Sequence, residues 1–76
     1  MNPNEKADFA AKFGAFIREA REKRGIPQKD VADQVDVSRA YYCYIEAGQR
    51  HIPLALAIEI CKALNADIGK FAAQLK

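Results

Sequence analysis

The 76 residues predict an all-α fold, a compact set of five short helices around one core. Three observations predict it. Apolar residues recur at spacings of three and four, the rhythm of a helix with one buried face. No segment shows the apolar–polar alternation of a half-buried strand. Gly25, Pro27, Ser38, Gly48, Pro53 and Asp67 punctuate the apolar stretches where helices would stop and start.

The first helix is expected over roughly residues 5–24. Asn2 as N-cap, Pro3 at the first helical position and Glu5 two residues on resemble a capping box. Phe9, Phe13, Phe16, Ile17 and Ala20 form its apolar face, and Arg21, Lys23 and Arg24 suit the dipole of its last turn. Gly25 ends it. The second helix is expected over 28–35 with Val31, Ala32 and Val35 inward, and the third over 39–46, capped by Ser38 and terminated by Gly48. Pro53 opens a fourth helix over 54–64 with Leu54, Ile58, Cys61 and Leu64 inward. Asp67 caps a fifth over 68–75, whose apolar residues are Ile68, Phe71, Ala72 and Leu75. No linker, repeat or low-complexity segment divides the chain. One domain is expected over 1–76, with residues 1–4 as a flexible tail.

Composition narrows the class. Half the residues are apolar and 29% are charged, which is a globular balance. Two cysteines are too few for a disulfide scaffold, and one histidine cannot complete a zinc site. No metal or other cofactor is expected. No nucleophile, paired-carboxylate or phosphate-loop pattern suggests an enzyme. The N-terminus lacks the apolar stretch of a signal peptide, and no run is long enough to span a membrane. A cytoplasmic protein is the expectation.

The connection between helices 2 and 3 is the informative stretch. Two helices of about eight residues joined by about three are the geometry of a helix-turn-helix, here at about 28–46. Ala32 is small where the two helices would cross. Asp36 stands where the turn calls for a positive φ, a conformation Asp tolerates better than most residues with a side chain. Val37 then turns back toward the core.

On these residues the chain resembles the Cro/repressor-type helix-turn-helix family, often called XRE-type, with its lambda-repressor-like fold. The resemblance runs over 17–71. It is carried by Arg21 with Gly25, by the run "PQKDVADQVDVSRAYYCYIEAGQR" and by "ICKAL" in helix 4. Departures stand at Asp36, where Gly is usual, at Pro27, where Ser or Thr is usual, and at Ala47, where Asn is common. The resemblance implies an all-α, five-helix protein that binds duplex DNA through helix 3. It also implies a structural ion pair between Arg21 and Glu46. Among relatives of this kind it looks most like small stand-alone regulators, such as phage Cro-like repressors and restriction-modification controller proteins.

Helical geometry sorts helix 3 at about 100° per residue. Val37 and Ile45 need a core, so Tyr42 goes inward and Tyr41 flanks it. Arg39, Ala40, Cys43 and Tyr44 fall on the opposite face. Arg39 sits where its fork can read guanine, Ala40 offers a small surface to a thymine methyl, and the Tyr44 hydroxyl reaches a base edge or a phosphate. In the family the positions of Arg39, Ala40 and Tyr44 commonly read bases, and that of Tyr41 sometimes does. Gln28, at the start of helix 2, Ser38 and Arg50 are the expected phosphate contacts.

Charge argues for few such contacts. Residues 28–51 hold three basic groups and four acidic ones, so counterion release on binding would be small. A homodimer on a palindromic operator would supply the missing selectivity. The dimer candidates are Phe71 and Leu75 with neighbours on helix 4. The alternatives left open are a protein-interaction module that uses the tyrosine-rich face, which the acidic balance of 28–51 favours slightly, or the antitoxin of a toxin-antitoxin pair.

Overall fold

The computed structural model describes residues 3–75, so the expected cap at Asn2 lies outside it. The order is α1 (Pro3–Lys23), α2 (Gln28–Gln34), α3 (Arg39–Glu46), α4 (Leu54–Ala63) and α5 (Ile68–Ala73), with no strand among the described residues. All five expected helices are present. α1 begins at Pro3, so Asn4, expected in a flexible tail, is helical.

Each of the first four helices stops in the same way. The residue just past the helix takes a positive φ, at Gly25 (65°), Asp36 (60°), Gly48 (75°) and Asn65 (51°). The N–H of the next residue then donates five positions back: Ile26 to Arg21 O, Val37 to Ala32 O, Gln49 to Tyr44 O and Ala66 to Cys61 O, at 2.7 to 3.2 Å. These are Schellman closures, which satisfy carbonyls the helix leaves open. Two of them use Asp and Asn, the side chains that most readily accept the left-handed conformation without glycine.

Helix starts are less uniform. Ser38 Oγ accepts from Tyr41 N at 3.0 Å, and Asp67 Oδ1 accepts from the N–H groups of Gly69 (2.8 Å) and Lys70 (3.3 Å). Pro27 and Pro53 precede α2 and α4 with extended backbone and no side-chain cap.

The core joins all five helices. Ile17, Tyr42, Ile60 and Leu64 are fully buried, with Val31, Ala32 and Ile45 at 1% exposure. Phe71 of α5 sits among three rings of α1, with centroids 5.6, 5.3 and 5.2 Å from Phe9, Phe13 and Phe16. Phe71 was a candidate dimer contact; at 4% exposure it instead closes the core of the single chain. A second correction concerns α4. Leu54 and Ile58 were expected inward, but they are 70% and 36% exposed, while Ala57, Ile60, Cys61 and Leu64 fill the core. The sequence "LALAIEICKA" is apolar almost all round, so its periodicity did not single out one face. The helix turns Ala57, Ile60 and Cys61 inward, and Leu64 follows them at its C-terminal end.

α1 and α3 approach unusually closely. A Cβ on Gly14 would overlap the carbonyl oxygen of Glu46 and lie 2.6 Å from that of Ile45. Gly48 is constrained twice, by its positive φ and by Ala11 Cα, 2.7 Å from any Cβ placed there. The C-terminal end of α3 is therefore seated directly on the α1 backbone.

Candidate nucleic-acid interface

α3 divides into two faces along the line its sequence suggests. Tyr42, Ile45 and Glu46 are buried, and Tyr41 is half-buried against the core. Arg39, Ala40, Cys43 and Tyr44 are exposed. Val37 packs against the core from the turn, with Asp36 in the positive-φ conformation expected of it.

Behind the exposed face lies a polar knot. Arg21 Nε donates to Glu46 Oε2 at 2.7 Å and Arg21 Nη2 to Glu46 Oε1 at 3.1 Å, a bidentate fork. Arg21 Nη1 donates to the carbonyl of Ile26 at 2.8 Å, which ties the α1–α2 connection to the same guanidinium. Gln28 Nε2 donates to Glu46 Oε1 at 3.0 Å. One carboxylate, 3% exposed, thus joins α1, α2 and α3. Burial pushes the Glu46 carboxyl up, but the hydrogen bonds from Arg21 and Gln28, the neighbouring Tyr42 phenol and the Arg21 charge outweigh it and hold the group below its ordinary range. Its hydrogen bond to Glu46 raises Arg21 above its ordinary range, against a smaller opposing effect of burial. Tyr42 Oη is buried beside this cluster without a well-formed hydrogen bond. Burial first, and then the Glu46 carboxylate, drive its phenol far above the usual tyrosine range.

The knot refines two expectations. The Arg21–Glu46 pair forms as the family resemblance implied. Gln28, expected to contact phosphate, spends one side-chain donor on Glu46, so what it offers at the start of α2 is its remaining amide hydrogen and the backbone. Nothing in the spacing of Gln28 and Glu46 signalled that bond. Charge also looks different in three dimensions. With Glu46 buried and matched by Arg21, the acidic groups left facing water over 28–51 are Asp30, Asp33 and Asp36, balanced by Lys29, Arg39 and Arg50. Lys29 also lies 3.8 Å from Asp33. The acidic excess counted along the sequence is not presented at the surface.

Ser38 Oγ accepts from the helix, which leaves its hydroxyl hydrogen free to donate outward. The guanidinium carbon of Arg50, an expected phosphate contact, stands 5.4 Å from the centroid of the Tyr44 ring. The signal for this contact, an aromatic six positions before an arginine across a helix end, is too common to have been read. Both cysteines are free, Cys43 exposed and Cys61 buried. Burial, with a smaller contribution from Asp67, pushes the Cys61 thiol up and away from reactivity. No cluster of His, Cys, Asp or Glu among the described residues has a metal-holding arrangement, and no helix there is long and apolar enough to cross a membrane.

A short helix anchored by its back face, held across a tight turn from a second short helix, with an exposed face carrying Arg and Tyr, defines a helix-turn-helix DNA-binding unit. Comparison with known proteins agrees: the helix-turn-helix family profile matches residues 17–71, and the chain belongs to that family. It is 31% identical over 64 residues to the control protein C.MunI of a Mycoplasma species, covering 83% of this chain and 86% of that one. It is 38% identical over 52 residues to an HTH-type transcriptional regulator of Archaeoglobus fulgidus, covering 68% and 74%. Among solved structures, the restriction-modification controller protein C.AhdI from Aeromonas hydrophila superposes with a TM-score of 0.77 at 30% identity, covering 87% of this chain and 94% of that one. The chain is a DNA-binding transcriptional regulator of the XRE type, not an enzyme.

Proposed function

We propose that the protein acts in the cytoplasm as a homodimer on a palindromic operator, with one α3 in the major groove of each half-site. The observation that carries this is the division of α3: Arg39, Ala40 and Tyr44 point away from the fold while Tyr42, Ile45 and Glu46 fix the helix from behind. Arg39, in the first turn of α3, forks onto guanine O6 and N7, and Ala40 packs against a thymine methyl. Tyr41 borders the same groove. Gln28, Ser38 and Arg50 hold the phosphate backbone on either side and set the register. The similarity to a control protein and a restriction-modification controller favours a small regulator of the same kind.

The test is selection from a randomised duplex pool, with wild type compared against Arg39→Ala. A two-fold symmetric motif is expected from wild type. Arg39→Ala should lose about 1–3 kcal/mol and relax the preference at one position in each half-site. Selection of no symmetric motif sinks the operator, and an unchanged motif from the variant sinks Arg39 as its reader.

Dimerisation rests on a groove rimmed by Phe9, Ile52, Leu54, Ile58 and Leu75. Leu54, Ile58 and Phe9 expose large apolar surfaces there, while Leu75 is half-buried. A contiguous apolar face of this kind is the expected site of association. Leu54, rather than Phe71, becomes the leading contact. Leu54→Asp should leave the thermal melt near wild type, because the side chain is exposed in the single chain. It should also shift sedimentation from dimer to monomer, since each buried leucine forfeits about 1.5–3 kcal/mol and symmetry counts it twice. A variant that sediments like wild type removes Leu54 from the interface.

A further inference from the structure

We propose that Tyr44 is a positioning residue: its ring holds the Arg50 guanidinium for a DNA phosphate and does not itself read a base. The proposal rests on the DNA-binding reading above and sharpens how one part of that surface works. Three observations converge on it. The guanidinium carbon of Arg50 lies 5.4 Å from the centroid of the Tyr44 ring, within cation–π range. The loop that carries Arg50 is fastened to Tyr44 itself, because Gln49 N–H donates to the Tyr44 carbonyl at 3.0 Å. The turn between them is seated on α1, since Gly48 holds a φ of 75° and leaves no space for a side chain beside Ala11.

The consequence is chemical. A guanidinium over a ring gives up one face, while its N–H donors, which lie in its plane, stay available at the edge. Arg50 makes no ion pair among the described residues, so those donors are not spent on a carboxylate. Arg is otherwise a long side chain with many rotamers, and an exposed one at a loop start has little to select among them. The exposed Tyr44 ring, two residues before the end of α3, selects the conformers that lie beside the helix, on the flank where a phosphate strand would run.

The experiment measures the salt dependence of affinity for a duplex chosen by the wild-type protein from a randomised pool. Each phosphate contact contributes about 0.9 to the slope of log K against log salt. Tyr44→Leu removes no charge, yet its slope should fall by about 1.8, one contact in each half-site of the dimer, as it does for Arg50→Ala. The double variant should fall no further. Tyr44→Phe keeps the ring and should keep the full slope. All four variants should melt near wild type, since both side chains are exposed. A full slope in Tyr44→Leu, with a changed base preference, overturns the proposal and returns Tyr44 to base reading. A loss in Tyr44→Phe equal to that in Tyr44→Leu overturns it in favour of a hydroxyl contact. A wild-type chain that selects no duplex overturns the DNA reading beneath it, a result distinct from either.

Discussion

Arg21→Ala should lower stability by about 3 kcal/mol, the lower end of the range for orphaning one member of a buried pair. The lower end applies because Arg21 retains 13% exposure, so some water can reach the gap. Glu46, at 3%, cannot reach solvent and would keep only the Gln28 amide. A domain of this length holds roughly 4–11 kcal/mol in total, so the variant should approach marginal stability. Arg21→Lys should recover only part of the loss, because an ammonium cannot supply the fork to Glu46 and the Ile26 carbonyl together. Denaturant unfolding checks both, and an Arg21→Ala midpoint equal to wild type would show the knot to be dispensable.

The same knot sets an acid limit. Glu46 has a folded pKa below its ordinary 4.5. Its contribution is fully present above the unfolded value and is lost as pH falls through the lower, folded one. The stability gap between wild type and Glu46→Gln should therefore be flat from neutral pH down to about 4.5 and narrow below it. A gap that widens on acidification would mean the carboxyl is not held ionised by its partners.

Gly14→Ala should destabilise by about 3 kcal/mol, the upper end of overpacking costs. Helix propensity predicts the opposite sign: Gly within a helix is roughly 0.5–1 kcal/mol worse than Ala. The clash decides, because the atoms in the way are the carbonyls of Glu46 and Ile45, which are backbone and cannot rotate aside. Relieving the overlap would require α3 to lift from α1, straining the Arg21–Glu46 fork. The melting temperature of a domain this size falls about 4–8 °C per kcal/mol. A melt that rises in Gly14→Ala would show that propensity wins and that α3 can lift from α1 at little cost.

The sequence was most readable where one residue type answers one local need. Ser38 caps, Asp36 takes the positive φ, and Tyr42 and Ile45 go inward because a helix of eight residues has few ways to bury both. The Arg21–Glu46 pair, 25 positions apart, was legible only through family resemblance. Gly14 was unreadable because its reason is a backbone on another helix. Asn65 escaped because asparagine in a polar connection looks like any loop residue. Leu54 and Ile58 were misassigned because an almost wholly apolar helix carries no phase information. Phe71 stood as a candidate for a partner contact because nothing local shows that three phenylalanines of α1 already surround it.

Apart from Tyr41 on the boundary, the two faces of α3 have no residue in common: positions 42, 45 and 46 hold the helix in place, and 39, 40, 43 and 44 look outward. Substitutions at exposed positions of this sort usually cost less than about 0.5 kcal/mol. A lineage of such proteins can thus rewrite its outward alphabet while the socket that receives the helix stays unchanged, and new targets can be explored without passing through unfolded ancestors.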